Sequence, residues 1–518
     1  MQTTEAVGTA LPSDTAFFGH PRGLYVCFAT EMWERFSFYG MKYLLLLYLT
    51  KYHLFSDTNG LEVLGSYAAL VYAMPVIGGL LADRYLGMRK AVVFGGLLLV
   101  LGHLGMAVEG EQARLTKTGI VRDDGALQVF YFSLALIVVG VGFLKPNIST
   151  IVGRLYRADD PRRDPGFTIF YMGINLGAFV ATLLCGYIGE TWGWRYGFGL
   201  AGIGMLVGLA TFLHGQRHLQ GLAEPARPER LLDSTPLGVS LETLIYLGGL
   251  AGVVIAWQML QFHGAVGALL NALSIAVLIG MAWFITTRCN AIERNRMIVL
   301  IILTLSTVVF WALFEQASGS MTLYADRVMD RELLGFTLTA AQFGSLNSFF
   351  IFLFAPLFAW LWMTLARRGL EPSTPVKFAL GIAQAGLGFG ALVVGAAMPN
   401  EAGLVTAWWM VLAYLLHTTG ELCLSPVGLS AVTKLSVTGV VGVMMGAWFL
   451  ATAYSELVAV KLAQLAAIDT VRGVATDIDQ ALANYTELFN SLLLVGLGVG
   501  LLLLLVSPLL KKMMHGVR

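Results

Sequence analysis

Between Gly23 and Tyr52 the chain is apolar and aromatic enough to sit in lipid, yet it carries Glu31, Glu34, Arg35 and Lys42. A charged side chain near the centre of a bilayer costs about 2.5–3.5 kcal/mol on insertion scales, so such residues are aimed at a partner or a water-filled cavity. At 3.6 residues per turn, Glu31, Glu34, Arg35, Tyr39 and Lys42 fall roughly on one stripe of a helix. Acids and bases on one stripe can hold a charged solute and exchange protons. The stripe reads as the inner wall of a polar pathway, which makes transport the first chemistry to consider.

The elements that would position these groups are membrane helices. The chain has 518 residues, of which 57% are hydrophobic and only 13% charged, whereas a soluble domain carries about 25% charged residues. Its apolar runs are continuous and long enough to span a bilayer, unlike the alternating strands of outer-membrane barrels. Six spans fill residues 1–214, and a Pro-, Arg- and Glu-rich stretch occupies 215–238. An apolar helix pair follows in 239–287 and six more spans in 288–518. The expected fold is thus an all-α membrane protein with 14 transmembrane helices, arranged as two six-helix bundles plus an inserted pair. With the N-terminus inside, most of the 33 Lys and Arg fall in cytoplasmic segments, including Arg84, Arg89, Lys90, Arg154, Arg288 and Lys511. Both termini are therefore expected on the cytoplasmic side.

Several function classes are excluded or disfavoured. The first twenty residues lack the charged start and small-residue cleavage site of a signal peptide. A net charge of +1 says nothing about nucleic acid, but no basic, aromatic-interleaved tract appears, and no nucleic-acid partner is expected. Cys27, Cys185, Cys289 and Cys423 are scattered without metal-ligand spacing and read as packing residues. No HExxH pair or Walker loop is present, so neither an enzyme nor an ATP-driven pump is indicated. No cofactor is expected beyond a proton as coupling ion.

The segment from Gly78 through Asp83 and Arg84 to Arg89 and Lys90 joins spans two and three. It resembles the inter-helix motif of the major facilitator superfamily, whose two bundles rock around a central site. The glycines would allow close helix approach, and Asp83 could pair with a cation or a helix end. The inserted pair carries no intramembrane charge, which suits packing or lipid contact better than substrate binding.

A more specific resemblance follows from Glu31-Met32-Trp33-Glu34-Arg35-Phe36-Ser37-Phe38-Tyr39-Gly40, together with Lys145-Pro146-Asn147 and Phe170 to Gly177 in spans four and five. Phe310 to Gln316 and Gly420 to Ser430 complete the set. These segments resemble the signatures of proton-coupled oligopeptide transporters of bacterial type, over about residues 20 to 510. The resemblance implies a symporter importing di- and tripeptides with protons by alternating access, in the bacterial inner membrane. It also implies that Lys145 and Arg35 face the peptide carboxylate, Glu421 with Asn347 the amino terminus, and Asn175 the peptide backbone. Tyr39, Tyr72, Trp311 and Trp448 would line a tolerant pocket, with Lys42 and Ser425 also in the binding set. A rigid aromatic wall offers contact area at low entropic cost.

The residue types support this independently. A short peptide is a zwitterion, so its site needs separated cationic and anionic poles. Arg35, Lys42 and Lys145 lie in the N-terminal part; Glu315 and Glu421 lie in the C-terminal part. Proton coupling needs a carboxylate whose surroundings change, because burial favours its protonated form and a cation its ionised form. Glu31 and Glu34 beside Arg35 and Lys145, and Glu315 opposite Lys42, are the candidates for coupling and gating.

Three departures from the family pattern stand out. Lys42 stands where Arg is common, losing a bidentate fork; Phe38 replaces a Tyr; and span two has no His. His103 and His417 lie in other spans and read as packed or helix-bridging groups. A sensor that binds peptide without moving it, and a carrier of nitrate or a single amino acid, are the alternatives. The paired poles disfavour a simple anion. Nothing requires an oligomer, and a monomer in the lipid bilayer is the expectation.

Overall fold

The computed structural model describes residues 17–517, apart from 158, 226, 237, 469, 472 and 473. Helices α1 (Arg22–Lys51), α2 (Asp57–Leu81), α3 (Met88–Met106), α4 (Asp124–Arg154), α5 (Arg163–Thr191) and α6 (Trp194–Gly215) come first. Next come α7 (Leu241–Gln261) and α8 (His263–Arg288). The rest are α9 (Ala291–Phe314), the short α10 (Ser320–Arg327), α11 (Ser345–Arg367), α12 (Thr374–Ala396), α13 (Trp408–Leu435), α14 (Val441–Ala463) and α15 (Ile478–Met513).

Among the described residues, twelve membrane-crossing candidates emerge by length and apolarity, α9 and α10 counting together. The two long helices outside that set are α1 and α13. They are the helices that carry the charged stripe and Glu421, so hydropathy falls where polar groups gather.

The helices start where the sequence offers caps. Ser56, Asp123, Ser240 and Asp477 each accept a backbone N–H from the first turn of α2, α4, α7 and α15. Asn290 and Glu293 form a reciprocal capping box on α9. Each satisfies donors that a helix start leaves open. The only strands among the described residues are short pairs in the connections.

Helix α1 packs against α5 and α6, α3 against α4, and α2 against α4. In the second set, α12 packs on α13 and α15, α9 on α14, and α11 on α13. The two sets meet through α2 with α14 and α5 with α11. The inserted pair lies outside, α7 against α4 and α2, α8 against α14 and α2. A Cβ on Gly78 would lie 2.0 Å from the Gly142 carbonyl oxygen, so glycine lets α2 and α4 touch backbone to backbone.

The segment 78–90 departs from its expected pairing. Ala82–Leu86 forms a wider turn and Gly87 (φ 80°) redirects the chain into α3. Arg89 is paired with Glu224, and Lys90 reaches Glu242 at 2.7 Å, so the basic residues tie down the linker and α7. Asp83 is exposed and makes no hydrogen bond or ion pair among the described residues.

The seventh span is not one continuous helix. It breaks between α9 and α10 through the tight turn Glu315–Ser318, and Gly319 leaves the helical region (φ −109°, ψ −108°). The freed backbone is re-satisfied locally. Gln316 donates to the carbonyls of Ala312 (3.1 Å) and Ala459 (2.8 Å), and Thr322 donates to Ala317 (2.7 Å). Irregular backbone at membrane depth survives only with such partners.

At the end of the bundle where α1 finishes, ion pairs cross between the two sets. Arg327 binds Asp57 at 2.6 Å, Lys51 pairs with Asp326, Arg331 approaches Glu190 at 3.8 Å, and Lys461 reaches Glu62 at 3.4 Å. Gly344 lies against the Tyr43 ring, where a Cβ would come within 2.5 Å. Among the described residues, ion pairs at the opposite end stay within one set or its linker, as in Lys377 with Glu371. The bundle is thus latched at one end.

Candidate transport site

The break in the seventh span, the charged stripe of α1 and the polar stretch of α13 converge on a cavity of about 190 Å³ between the two helix sets. Tyr39, Lys42 and Tyr72 line it from α1 and α2, and Asn175 from α5. From the other side come Trp311 and Glu315, Asn347 of α11, and Glu421 and Ser425 of α13. Nine of the residues singled out in the sequence therefore share one cavity.

Its anionic pole is organised by hydrogen bonds. Asn347 donates from Nδ2 to Glu421 Oε2 at 3.0 Å and lies 3.1 Å from the Thr418 hydroxyl. Thr418 in turn donates to the Tyr414 carbonyl one turn back. This fixes the Glu421 carboxylate while leaving acceptor capacity free. Asn175 donates to its own helix at Tyr171 O, 3.1 Å away, and keeps its amide oxygen available.

The cationic groups divide into two kinds. Lys42 is engaged: its Nζ lies 2.8 Å from Glu315 and 3.2 Å from Glu456. Lys145 is not, because among the described residues no carboxylate lies within ion-pair distance; its ammonium sits 5.0 Å over the Tyr72 ring. That aromatic face borders the cavity, and cation–π contact holds the charge without neutralising it.

Glu31, Glu34 and Arg35 form a buried cluster behind this wall. Arg35 is paired with Glu34 through Nε and through Nη2 to Oε1 at 2.5 Å, and stands 3.6 Å from Glu31. Glu31 Oε2 has no hydrogen-bond partner among the described residues. Phe38, the residue standing where a Tyr is common, offers its ring to the Arg35 guanidinium at 4.7 Å. The expected closeness of Glu34 and Lys145 amounts to no ion pair.

Trp448 does not line the cavity. Its ring packs edge-on to Phe378 and closes over Gly428, where a Cβ would come within 2.4 Å. A motif fixes a residue's place along a helix, but the helix's rotation decides which way it faces. His103 is buried with neither ring nitrogen hydrogen-bonded among the described residues, so it packs; His417 is buried against Phe389 beside α12.

The site also holds a group that sequence reading missed. Glu456 of α14 is buried and within reach of Lys42. It belongs to none of the motifs, but the signal was available: it is an acid inside an apolar span, subject to the same cost that marks Glu31.

The comparisons with known proteins agree with this architecture. A family model described as the POT family matches residues 89–478. The chain is 38% identical over 511 residues to the uncharacterized transporter YclF of Bacillus subtilis, covering 97% of this chain and 96% of that one. It is 36% identical to the peptide transporter YePEPT of Yersinia enterocolitica, with coverage of 89% and 90%. Among solved structures, a mutant of the peptide transporter POT in complex with alafosfalin superposes with a TM-score of 0.81 at 38% identity, covering 97% and 98%. A POT family transporter in complex with a thioalcohol-conjugated peptide gives 0.78 at 30%, covering 96% and 99%. A multi-pass helical chain with this fold and these relatives belongs to the POT family of the major facilitator superfamily, and it is a transporter rather than an enzyme.

Proposed function

We propose that the chain is a proton-coupled symporter that imports di- and tripeptides by alternating access across the bacterial inner membrane, with both termini cytoplasmic and the monomer as the working unit. The observation that carries this reading is the opposition of poles across one cavity. Glu421, held by Asn347, stands on one helix set, and Lys145, with no carboxylate in ion-pair reach among the described residues, stands behind Tyr72 on the other.

A zwitterionic peptide bridges these poles, its amino group toward Glu421 and its carboxylate toward Lys145 and Arg35. Asn175 reads the peptide backbone, and the faces of Tyr39, Tyr72 and Trp311 accept varied side chains. Binding across both sets favours their approach. The coupling proton enters the Glu31–Glu34–Arg35 cluster and the acids around Lys42. Protonating an acid frees its basic partner, and the latch between Asp57 and Arg327 opens or closes the far end. The names of relatives such as the di-/tripeptide transporter of Lactococcus lactis, 33% identical over 526 residues, support the substrate class.

The test is uptake of labelled dialanine into liposomes containing the purified protein, with and without an inward proton gradient. Accumulation that requires the gradient, competed by other dipeptides and not by free alanine, is the expected result. Binding without accumulation would favour a sensor instead, and no binding would remove peptides as the substrate.

A further inference from the structure

Lys42 has two carboxylates and not one. Glu315 Oε2 lies 2.8 Å from its Nζ and Glu456 Oε1 lies 3.2 Å away. All three side chains are largely buried, at 3%, 14% and 5% exposure for Lys42, Glu315 and Glu456. With every group ionised, the trio holds one uncompensated negative charge in a region where unpaired charge is expensive. The topology adds a second fact. Lys42 belongs to α1, whereas Glu315 follows α9 and Glu456 belongs to α14, two helices packed on each other. Movement of one helix set against the other therefore removes the cation from both acids together.

We propose that Glu315 and Glu456 form a single proton-binding pair, in which docking of Lys42 displaces a proton and undocking recaptures it. Glu456 is then a second carboxylate of the coupling site. This rests on the proton-coupled reading above. Two acids left side by side without their cation cannot both stay ionised, as in other carboxylate dyads. The proton so bound would be shared by the two carboxylates that face Lys42.

Few other groups compete for this role. From α2, Tyr72 lines the cavity beside Lys42 and Glu315, and Tyr67 stacks on Phe38. From α1, Tyr39 lines the cavity with Lys42, and Arg35 is engaged by Glu34. From α13, Glu421 faces Glu315 across the cavity and is held by Asn347. From α8, His263 bonds Ser66 and borders another face of α14, with Tyr454 and Lys461. Among these, Lys42 is the cation within ion-pair distance of Glu456.

The experiment measures gradient-driven dialanine uptake across a series of external pH values for wild type, E315Q, E456Q and the double variant. E456Q should lower the pH of half-maximal driven uptake by about one unit, the scale of interaction between neighbouring carboxylates. E456D should restore the wild-type profile, which a merely structural role for Glu456 would leave unmoved. E315Q should keep a gradient-dependent component, because Glu456 still pairs with Lys42, and the double variant should lose it. A wild-type pH profile in E456Q, or loss of the whole gradient response in E315Q alone, overturns the proposal. Infrared spectra of purified protein at acid and alkaline pH report the pair without requiring transport. In difference spectra taken against the double variant, which subtract the bands of Glu31, Glu34 and Glu421, the pair's carboxyl band should persist, altered, in each single variant. A band abolished by E315Q alone, or untouched by E456Q, refutes the shared site even where wild-type uptake shows no gradient dependence, a result that by itself would remove only the symport reading.

Discussion

Arg327 grips Asp57 with both prongs of its guanidinium, Nη1 to Oδ2 and Nη2 to Oδ1 each at 2.6 Å, and both side chains are only 1% exposed. The pair joins the end of α10 to the start of α2 and is completed by the Tyr485 hydroxyl and the Ile468 backbone N–H. Among the described residues it is the most thoroughly buried of the ion pairs that cross between the helix sets at the latched end.

Breaking one partner of such a pair strands a buried charge, which costs about 3–5 kcal/mol. Asp57→Ala should therefore shift the population toward a state open at this end. Spin labels at positions 111 and 401, both in exposed connections at that end, would report a new, longer distance component. The charge swap D57R/R327D should recover much of the short distance; an unchanged distribution in D57A would remove the latch role.

Glu421→Gln keeps the shape of the Asn347 contact but discards the charge. A charge-assisted hydrogen bond contributes about 1.5–3 kcal/mol, so dipeptide affinity should fall roughly 10- to 150-fold. Competition by an N-acetylated dipeptide, which lacks the ammonium, should differ little between wild type and E421Q. Equal loss for both ligands would show that Glu421 serves the cavity's structure and not the amino group.

Lys145 offers the complementary test. Lys145→Ala should weaken binding of a dipeptide with a free carboxylate by about 10-fold or more, on the same charge-assisted scale. A C-terminally amidated dipeptide should bind both proteins alike. Should the amide suffer the same loss as the free acid, Lys145 does not read the carboxylate.

His53 gives a prediction about acid stability rather than transport. It lies in the connection between α1 and α2, packed against Tyr48 and Tyr52, with its backbone carbonyl accepting from Arg122 at 2.7 Å. Burial, reinforced by the Arg122 charge, lowers its pKa to about 4. An unfolded histidine titrates near 6.5. Between those values the unfolded chain binds a proton that the folded chain refuses, so stability is full above about pH 6.5. It falls as the pH drops toward 4 and levels below that, by about 3 kcal/mol at most. Thermal melting of detergent-solubilised protein at pH 7 and pH 4.5 should show this slope reduced in His53→Phe. An identical slope in the variant would assign the acid sensitivity elsewhere.

Much of the site was legible because misplaced charge in an apolar span is costly whatever the fold. That single argument marks Glu31, Glu34, Arg35, Lys42 and Glu421 from residue types alone. It applies equally to Glu456, but a lone acid with no motif around it offers nothing to say what it serves. The alternation of apolar runs and polar connections likewise anticipates the long helices, all but the eight-residue α10, since their lengths follow from bilayer thickness.

Other features were beyond the sequence for physical reasons. Hydropathy averages over a window, so it could not see that Gly319 leaves helical geometry and breaks the seventh span beside Glu315. Position along α14 does not fix its rotation, so Trp448 turned toward Phe378 and away from the cavity. Lys42 and Glu456 are separated by 414 residues, and only the packing of α1, α9 and α14 brings them to one point. Residue types and their order dictate which groups must be sheltered from lipid, because the cost of charge there is local. Which partner shelters each one follows from the packed bundle, because pairing depends on how distant helices approach and turn.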